Sequence, residues 1–327
     1  LKGPGKYFKL LNKLGIKVYC LNLKFYSFYK FFFLIKLLRS LKSDLVQTWL
    51  VHADFIGSIA AFLAGIKNII WNIRYSNLNT GKTKITTVLI IKLLAKLSFL
   101  LPKLIVVFSK RALKFIPNGY DLKILRPNNY QKFIFKKKNK IKKKIPIIGN
   151  VARYDPKKDH LNLLKALSKI KSKNINFFCF LVGSNIDKNN FKLISEIKNL
   201  DLSKHVKLLG QNDNILQIMN GLDIYVQSSS YGEGFPNVVA ESMACGTPCI
   251  VTDVGDASFI VGKTGWVVPN SPNKLAKVIE EVINQIGNKK WKKRGDLVRS
   301  RMKENFDISK MIISYNKLWY EVYKKNN

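Results

Sequence analysis

Residues 231–256 read YGEGFPNVVAESMACGTPCIVTDVGD: a glycine-flanked acidic turn, a proline, a helix-length stretch, a Gly-Thr-Pro break and a short apolar run that ends at another glycine. Gly232 and Gly234 permit a tight turn, and Pro236 suits the first position of a helix. The apolar run 249–252 has the length and composition of a buried strand. Turn, helix and strand in that order form part of a βαβ unit, in which strands run parallel and a helix crosses between them.

The same alternation extends outward from this stretch. Short apolar runs at 147–151, 177–182, 206–209, 224–227, 249–252 and 266–268 predict six strands separated by helix-length segments. In the first half, runs at 17–20, 44–48, 68–73 and 104–108 repeat the pattern. Between the halves, FKKKNKIKKKIP at 135–146 reads as a basic linker. The expectation is α/β class with two doubly wound, Rossmann-like domains over 1–140 and 141–306. Residues 307–327 add a C-terminal helix that carries Ile312, Tyr315, Leu318, Trp319 and Tyr323 on one side, for packing back on the first domain.

A chain of 327 residues with 47% hydrophobic content is long enough for two such cores. The net charge of +37 comes mostly from lysine spread along the whole sequence, which favours anionic surfaces such as membranes or polyphosphates over one recognition site. The four cysteines form no CxxC pair and no histidine stands at metal-binding spacing, which points to reduced thiols and a cytoplasmic protein without zinc. The most apolar long run, 85–107, is interrupted by Lys92, Lys96, Pro102 and Lys103 and is read as non-spanning.

Ligands of open parallel sheets bind at the carboxyl ends of the strands. After the run 147–151 comes ARYDPKKDH, where Arg153 and Lys158 can aim a guanidinium and an ammonium at one diphosphate. In the quoted stretch the amides of Phe235, Asn237 and Val238 begin a helix and suit a phosphate. Glu233 sits in the turn, between glycines that include Gly234. Glu241, among apolar Val238, Val239, Ala240 and Met243, calls for a hydroxyl partner, because an unpartnered carboxylate there would be costly.

These residues resemble the retaining glycosyltransferases of the GT-B fold, family four. EGFPNVVAE, 233–241, matches that family's Glu-x7-Glu motif. SMACGTPCIVTDVGD at 242–256 and KTGWVVP at 263–269 match the family's next helix, strand and Gly-rich loop, and LVQTWLVHADFIGSIAAFLAG at 45–65 and IPNGYD at 116–121 match its acceptor domain more loosely. The resemblance implies a donor site in the cleft between domains, with Glu233 on the hydroxyls of the transferred sugar, Glu241 on the ribose, and Arg153 and Lys158 on the diphosphate. It implies a UDP- or GDP-sugar donor, no metal or other cofactor, and a lipid-linked or polysaccharide acceptor. The family opens with a strand and glycine loop, whereas this sequence begins at what reads as the end of the second strand, so its first domain is expected to be incomplete.

In the first half, His52 follows a strand and starts a helix, which makes it a candidate for acceptor or sugar contact, with Asp54 as the alternative N-cap; Arg74 is similarly placed after the next strand. Aromatic and basic residues interleave at 24–42, as in a core helix with snorkelling lysines or one lying on anionic lipid. The expected protein is a cytoplasmic hexosyltransferase, peripheral at the inner face of the membrane. The rivals are a basic nucleic-acid- or membrane-binding protein without catalysis, and a GT-B-like sugar epimerase. The first lacks an RNP-like strand, zinc spacing or a basic recognition helix.

Overall fold

The computed structural model describes residues 5, 7–22, 29–73, 85–107, 115–141 and 145–324. The chain forms two compact units, one of residues 1–116 with 314–327 and the other of residues 117–313.

In the first unit α1 (Phe8–Lys13) and α2 (Tyr29–Leu41) precede β1 (Val46–Trp49), α3 (Val51–Leu63), β2 (Ile69–Ile73), α4 (Ile85–Leu97) and β3 (Leu104–Val107). The strands pair in parallel in the order β1-β2-β3, with Val46 opposite Ile69 and Ile70 opposite Leu104. Ala61, Ile69, Trp71 and Leu94 form the core under α2, α3 and α4, where the Trp71 indole donates to Ser58 Oγ at 2.6 Å. Residues 17–20, expected as a strand, are irregular; Tyr19 and Cys20 are exposed and no ladder partner is present among the described residues.

The second unit holds α5 (Asn129–Lys138), β4 (Ile147–Val151), α6 (His160–Lys171), β5 (Phe178–Val182), α7 (Phe191–Asn199), β6 (Val206–Leu208), α8 (Ile215–Gly221) and β7 (Ile224–Gln227). It continues with α9 (Asn237–Ala244), β8 (Cys249–Thr252), α10 (Ala257–Val261), β9 (Trp266–Val268), α11 (Pro272–Ile283), α12 (Lys289–Asn305) and the start of α13 (Ile308–Lys324). All six strands are parallel in the order β6-β5-β4-β7-β8-β9. This is the doubly wound Rossmann order, with its switch point between β4 and β7. Ile147, Val151, Phe180, Tyr225 and Val251 face one core, while Ile148, Cys179, Leu181, Ile224 and Ile250 face the other. Burial on both faces is why these strands read as unbroken apolar runs.

Part of the expected basic linker is α5. Asn128 caps it by accepting from the Gln131 amide, and Phe135 turns inward against Phe180 with ring centroids 5.0 Å apart. A Cβ on Gly221 would lie 2.3 Å from that Phe135 ring. The unit boundary therefore falls at 116/117 rather than 140, because Tyr120, Leu122 and Phe135 are buried in the second core.

From Ser314 onward α13 belongs to the first unit. There Tyr315 OH accepts from Asn72 Nδ2 at 2.7 Å and the Trp319 indole donates to Gln47 Oε1 at 2.8 Å. No helix among the described residues is long and apolar enough to cross a membrane.

Candidate functional site

Three loops of the second unit leave the carboxyl ends of β4, β7 and β8, and hydrogen bonds lace them together. The Ser230 amide donates to Lys157 O at 2.9 Å and Ser228 Oγ to Lys158 O at 3.0 Å, tying the β7 loop to the β4 loop. Thr252 Oγ1 donates to Ser229 O at 2.6 Å and the Asp256 amide to Gly234 O at 2.9 Å, tying it to the β8 loop. Gly255 has φ +62, and a Cβ there would stand 2.6 Å from the carbonyl oxygens of both Glu233 and Gly234.

Glu233 is buried at this junction. Its Oε1 accepts from Lys158 Nζ at 2.6 Å and from the Ser229 hydroxyl. Lys158 and Glu233 are thus brought together, whereas Arg153 points elsewhere: its Nε donates to Asp155 Oδ2 at 3.1 Å, and its side chain is 64% exposed against 23% for Lys158. Asp155 also accepts from the Lys157 amide, capping the short turn Pro156–Lys158. Burial pushes its carboxyl up, but the Lys157 amide, the Arg153 hydrogen bond and the two cations outweigh it and hold the group below its ordinary range. Next along the chain, His160 is buried at the start of α6, and burial lowers its imidazole to about 4 against the opposing pull of Asp159.

The helix after the acidic turn begins at Asn237, with Pro236 as its N-cap rather than its first residue, because Pro236 has extended ψ of 98°. The Pro236 side chain makes no capping hydrogen bond. The Val239 amide donates to Pro236 O at 3.1 Å, which leaves the Asn237 and Val238 amides as the first-turn donors without an intrahelical acceptor. Asn237 Oδ1 is held by Asn118 Nδ2 and Tyr120 OH, each at 2.7 Å. Phe235 meets Phe306 edge-on at 5.7 Å and anchors the turn. Glu241, one turn further, is half-buried; burial raises its carboxyl, and no cation or donor is paired with it among the described residues.

His52 belongs to the first unit, exposed in the first turn of α3 just beyond β1. Asp54 is not the N-cap; Leu50 occupies that position with φ +79, a strained conformation for leucine. Asp54 turns inward, accepts from Thr48 Oγ1 at 2.6 Å, and is raised to about 6 by burial, with Thr48 and the Asn72 backbone opposing. Arg74 lies outside the described residues.

Ser229, Thr252 and Gly255 were not singled out from the sequence as parts of the site. The serine run at 228–230, directly after an apolar strand, is the one local signal, and it points to Ser229 alone, since hydroxyls at a strand end can bond across loops. Among the described residues no three His, Cys, Asp or Glu side chains gather closely enough to hold a metal ion. Burial pushes the Cys245 and Cys249 thiols up to about 12, which removes them as nucleophiles.

Comparison with known proteins identifies relatives of the whole chain and of its second unit. The family described as glycosyl transferases group 1 matches residues 131–298. The UDP-Gal:alpha-D-GlcNAc-diphosphoundecaprenol alpha-1,3-galactosyltransferase of Escherichia coli is 24% identical over 313 residues, covering 88% of this chain and 78% of the relative. The N-acetyl-alpha-D-glucosaminyl L-malate synthase of Bacillus anthracis is 27% identical over 191 residues, 57% of this chain and 48% of that one, so here the match spans about half the relative's length. A crystal structure of Anabaena HepE in complex with UDP superposes with a TM-score of 0.83 at 20% identity, covering 98% of this chain and 91% of the other.

Proposed function

The chain belongs to the group 1 glycosyl transferases, and from that membership we propose that it moves a hexose or N-acetylhexosamine from a UDP- or GDP-sugar to a lipid-linked glycan or surface polysaccharide, with retention of configuration, at the cytoplasmic face of a membrane. The observation that carries this reading is the junction of Lys158, Ser229 and Glu233 at the switch point, beside a helix start whose N-cap residue makes no side-chain cap and a carboxylate, Glu241, with no partner among the described residues. The galactosyltransferase relative, which uses UDP-Gal and a diphosphoundecaprenol-linked acceptor, supports a nucleotide-sugar donor and a lipid-linked acceptor.

In this reading the donor's diphosphate lies against the Asn237 and Val238 amides and the Lys158 ammonium, and Arg153 swings from Asp155 to join them. These groups meet the negative charge that develops on the leaving diphosphate, so no metal is required. The Glu233 carboxylate accepts from sugar hydroxyls and steadies the positive charge on the sugar. Because Lys158 and Ser229 already bond the same Glu233 oxygen, they favour this electrostatic role over a covalent one. The bond from C1 to the diphosphate oxygen breaks, the acceptor oxygen bonds to C1 on the same face, and the acceptor proton passes to the departing phosphate. Glu241 holds the ribose hydroxyls.

The test is nucleotide release and product analysis with a panel of UDP- and GDP-sugars, each with a polyprenyl-diphosphate-linked sugar and a water-soluble analogue. Product of the same anomeric configuration as the donor, formed in the presence of EDTA, is expected. Absence of transfer with every donor, or an inverted product, refutes the proposal.

A further inference from the structure

The helix α4 is apolar on two opposite sides. Leu94 is buried in the first unit's core with Ile90 and Leu97 packed against it, as an amphipathic helix requires. The side facing away from that core should then be polar, yet it carries Ile85, Leu89 and Leu93, with Ile85 79% exposed. The turn after the helix adds Phe99 and Leu100, which are 90% and 79% exposed. Exposed apolar residues that occur singly are ordinary, but a continuous row along one helix and its terminal turn marks a contact surface.

The charges around this row indicate what covers it. Lys92 and Lys96 lie on the same outward side, and Lys103 comes just after the turn; none of the three has an ion pair among the described residues. No Asp or Glu occurs anywhere between Asp54 and Asp121. A second copy of this chain would bring the same lysines face to face and repel. A nucleic acid would pair with the lysines but leave Ile85, Leu89, Leu93 and Phe99 facing water. A bilayer bearing anionic headgroups satisfies both features, because acyl chains take the apolar row while the ammonium groups stay at headgroup level.

We propose that α4 and the Phe99–Leu100 turn form an interfacial element that lies flat on an anionic membrane and inserts its apolar row at the boundary between headgroups and acyl chains. The inference deepens the membrane-borne acceptor of the proposed function and rests on that reading only for its purpose. Lying flat also accounts for a stretch too interrupted by lysine to span a bilayer yet too apolar on its outer side for water.

The test uses the full chain with vesicles of phosphatidylcholine, with and without phosphatidylglycerol. Co-sedimentation is expected only with phosphatidylglycerol, and the tryptophan emission gained in a Phe99→Trp variant is expected to shift to the blue on binding. Leu89→Ser combined with Leu93→Ser, and Phe99→Ser combined with Leu100→Ser, should each weaken vesicle binding by about tenfold or more. Phe191→Ser, an exposed aromatic in the second unit, should bind as wild type. Because all these side chains face outward, thermal melts should show the variants folded. UDP affinity measured without vesicles should be the same in each, so a failure here leaves the transfer reading intact, whereas failed transfer to the soluble acceptor would remove that reading alone. The proposal is overturned by equal binding to neutral vesicles, by serine variants that bind as wild type, by an equal loss in Phe191→Ser, or by tighter binding to duplex DNA than to the anionic vesicles.

Discussion

The Lys158 ammonium donates to Glu233 Oε1 at 2.6 Å across 75 positions of sequence, and Ser229 donates to the same oxygen. Both partners sit at carboxyl ends of strands that flank the switch point. A carboxylate this buried is stable because a cation and a hydroxyl offset the lost hydration. The arrangement fixes one oxygen of the Glu233 carboxylate where the loops after β4 and β7 meet.

Glu233→Gln keeps the shape and removes the charge. Transfer should fall by about 100-fold or more, with nucleoside diphosphate affinity little changed, because the charge acts on the sugar in the transition state. Turnover assays beside titration calorimetry with UDP and GDP separate the two effects. An equal loss of nucleotide affinity would place Glu233 on the diphosphate instead.

Lys158→Ala and Arg153→Ala should differ. Lys158 is largely enclosed and bound to Glu233, so its loss should weaken nucleoside diphosphate binding by about 1.5 to 3 kcal/mol and also strand the Glu233 charge. Arg153 is exposed and engaged with Asp155, so its loss should cost about 1 kcal/mol or less. Calorimetry showing the larger effect at Arg153 would mean that the guanidinium, not the ammonium, is the main diphosphate contact.

The second unit was legible in the sequence almost strand for strand, since a parallel sheet covered on both faces leaves continuous apolar runs between glycine and proline punctuation. The carboxylates were legible for the same reason: Glu233 stands between glycines, and Glu241 interrupts an apolar helix. The laced loops were not. That Ser229 would reach Glu233, or that Gly255 would abut its carbonyl, depends on which strands are neighbours, and the order β4-β7-β8 is not written in any local pattern. Composition misled at 135–146, where lysines mask a helix whose one inward residue in that span, Phe135, secures it to the core. It misled again at 17–20, where an apolar run found no sheet among the described residues.

Gly255→Ala should damage the site without touching a functional side chain. The added Cβ would meet two carbonyl oxygens at 2.6 Å, and φ of +62 is strained for alanine, so the β7 and β8 loops must separate. A stability loss of about 2 kcal/mol is expected, together with a fall in transfer larger than that loss explains at temperatures where the protein stays folded. Urea titration and turnover assays on the same sample test this, and unchanged turnover would show that the loop contact does not position Glu233.

The two units should respond to mild acid in opposite directions. Asp54, raised by burial from 3.8 to about 6, favours its protonated form in the folded first unit; the stability this gives is complete below pH 3.8 and is lost as pH rises through about 6. His160, lowered by burial from 6.5 to about 4, favours its neutral form in the second unit; that stability is complete above pH 6.5 and is lost as pH falls toward 4. Each shift amounts to about 3 kcal/mol at most. Between pH 6.5 and 4, hydrogen exchange resolved by peptide should therefore show β1 and α3 becoming better protected while β4 and α6 become less so. Asp54→Asn should flatten the first trend and His160→Gln the second. If both units lose protection together in wild type, or if Asp54→Asn leaves the first trend unchanged, the buried Asp54 carboxyl is not what sets the first unit's acid response.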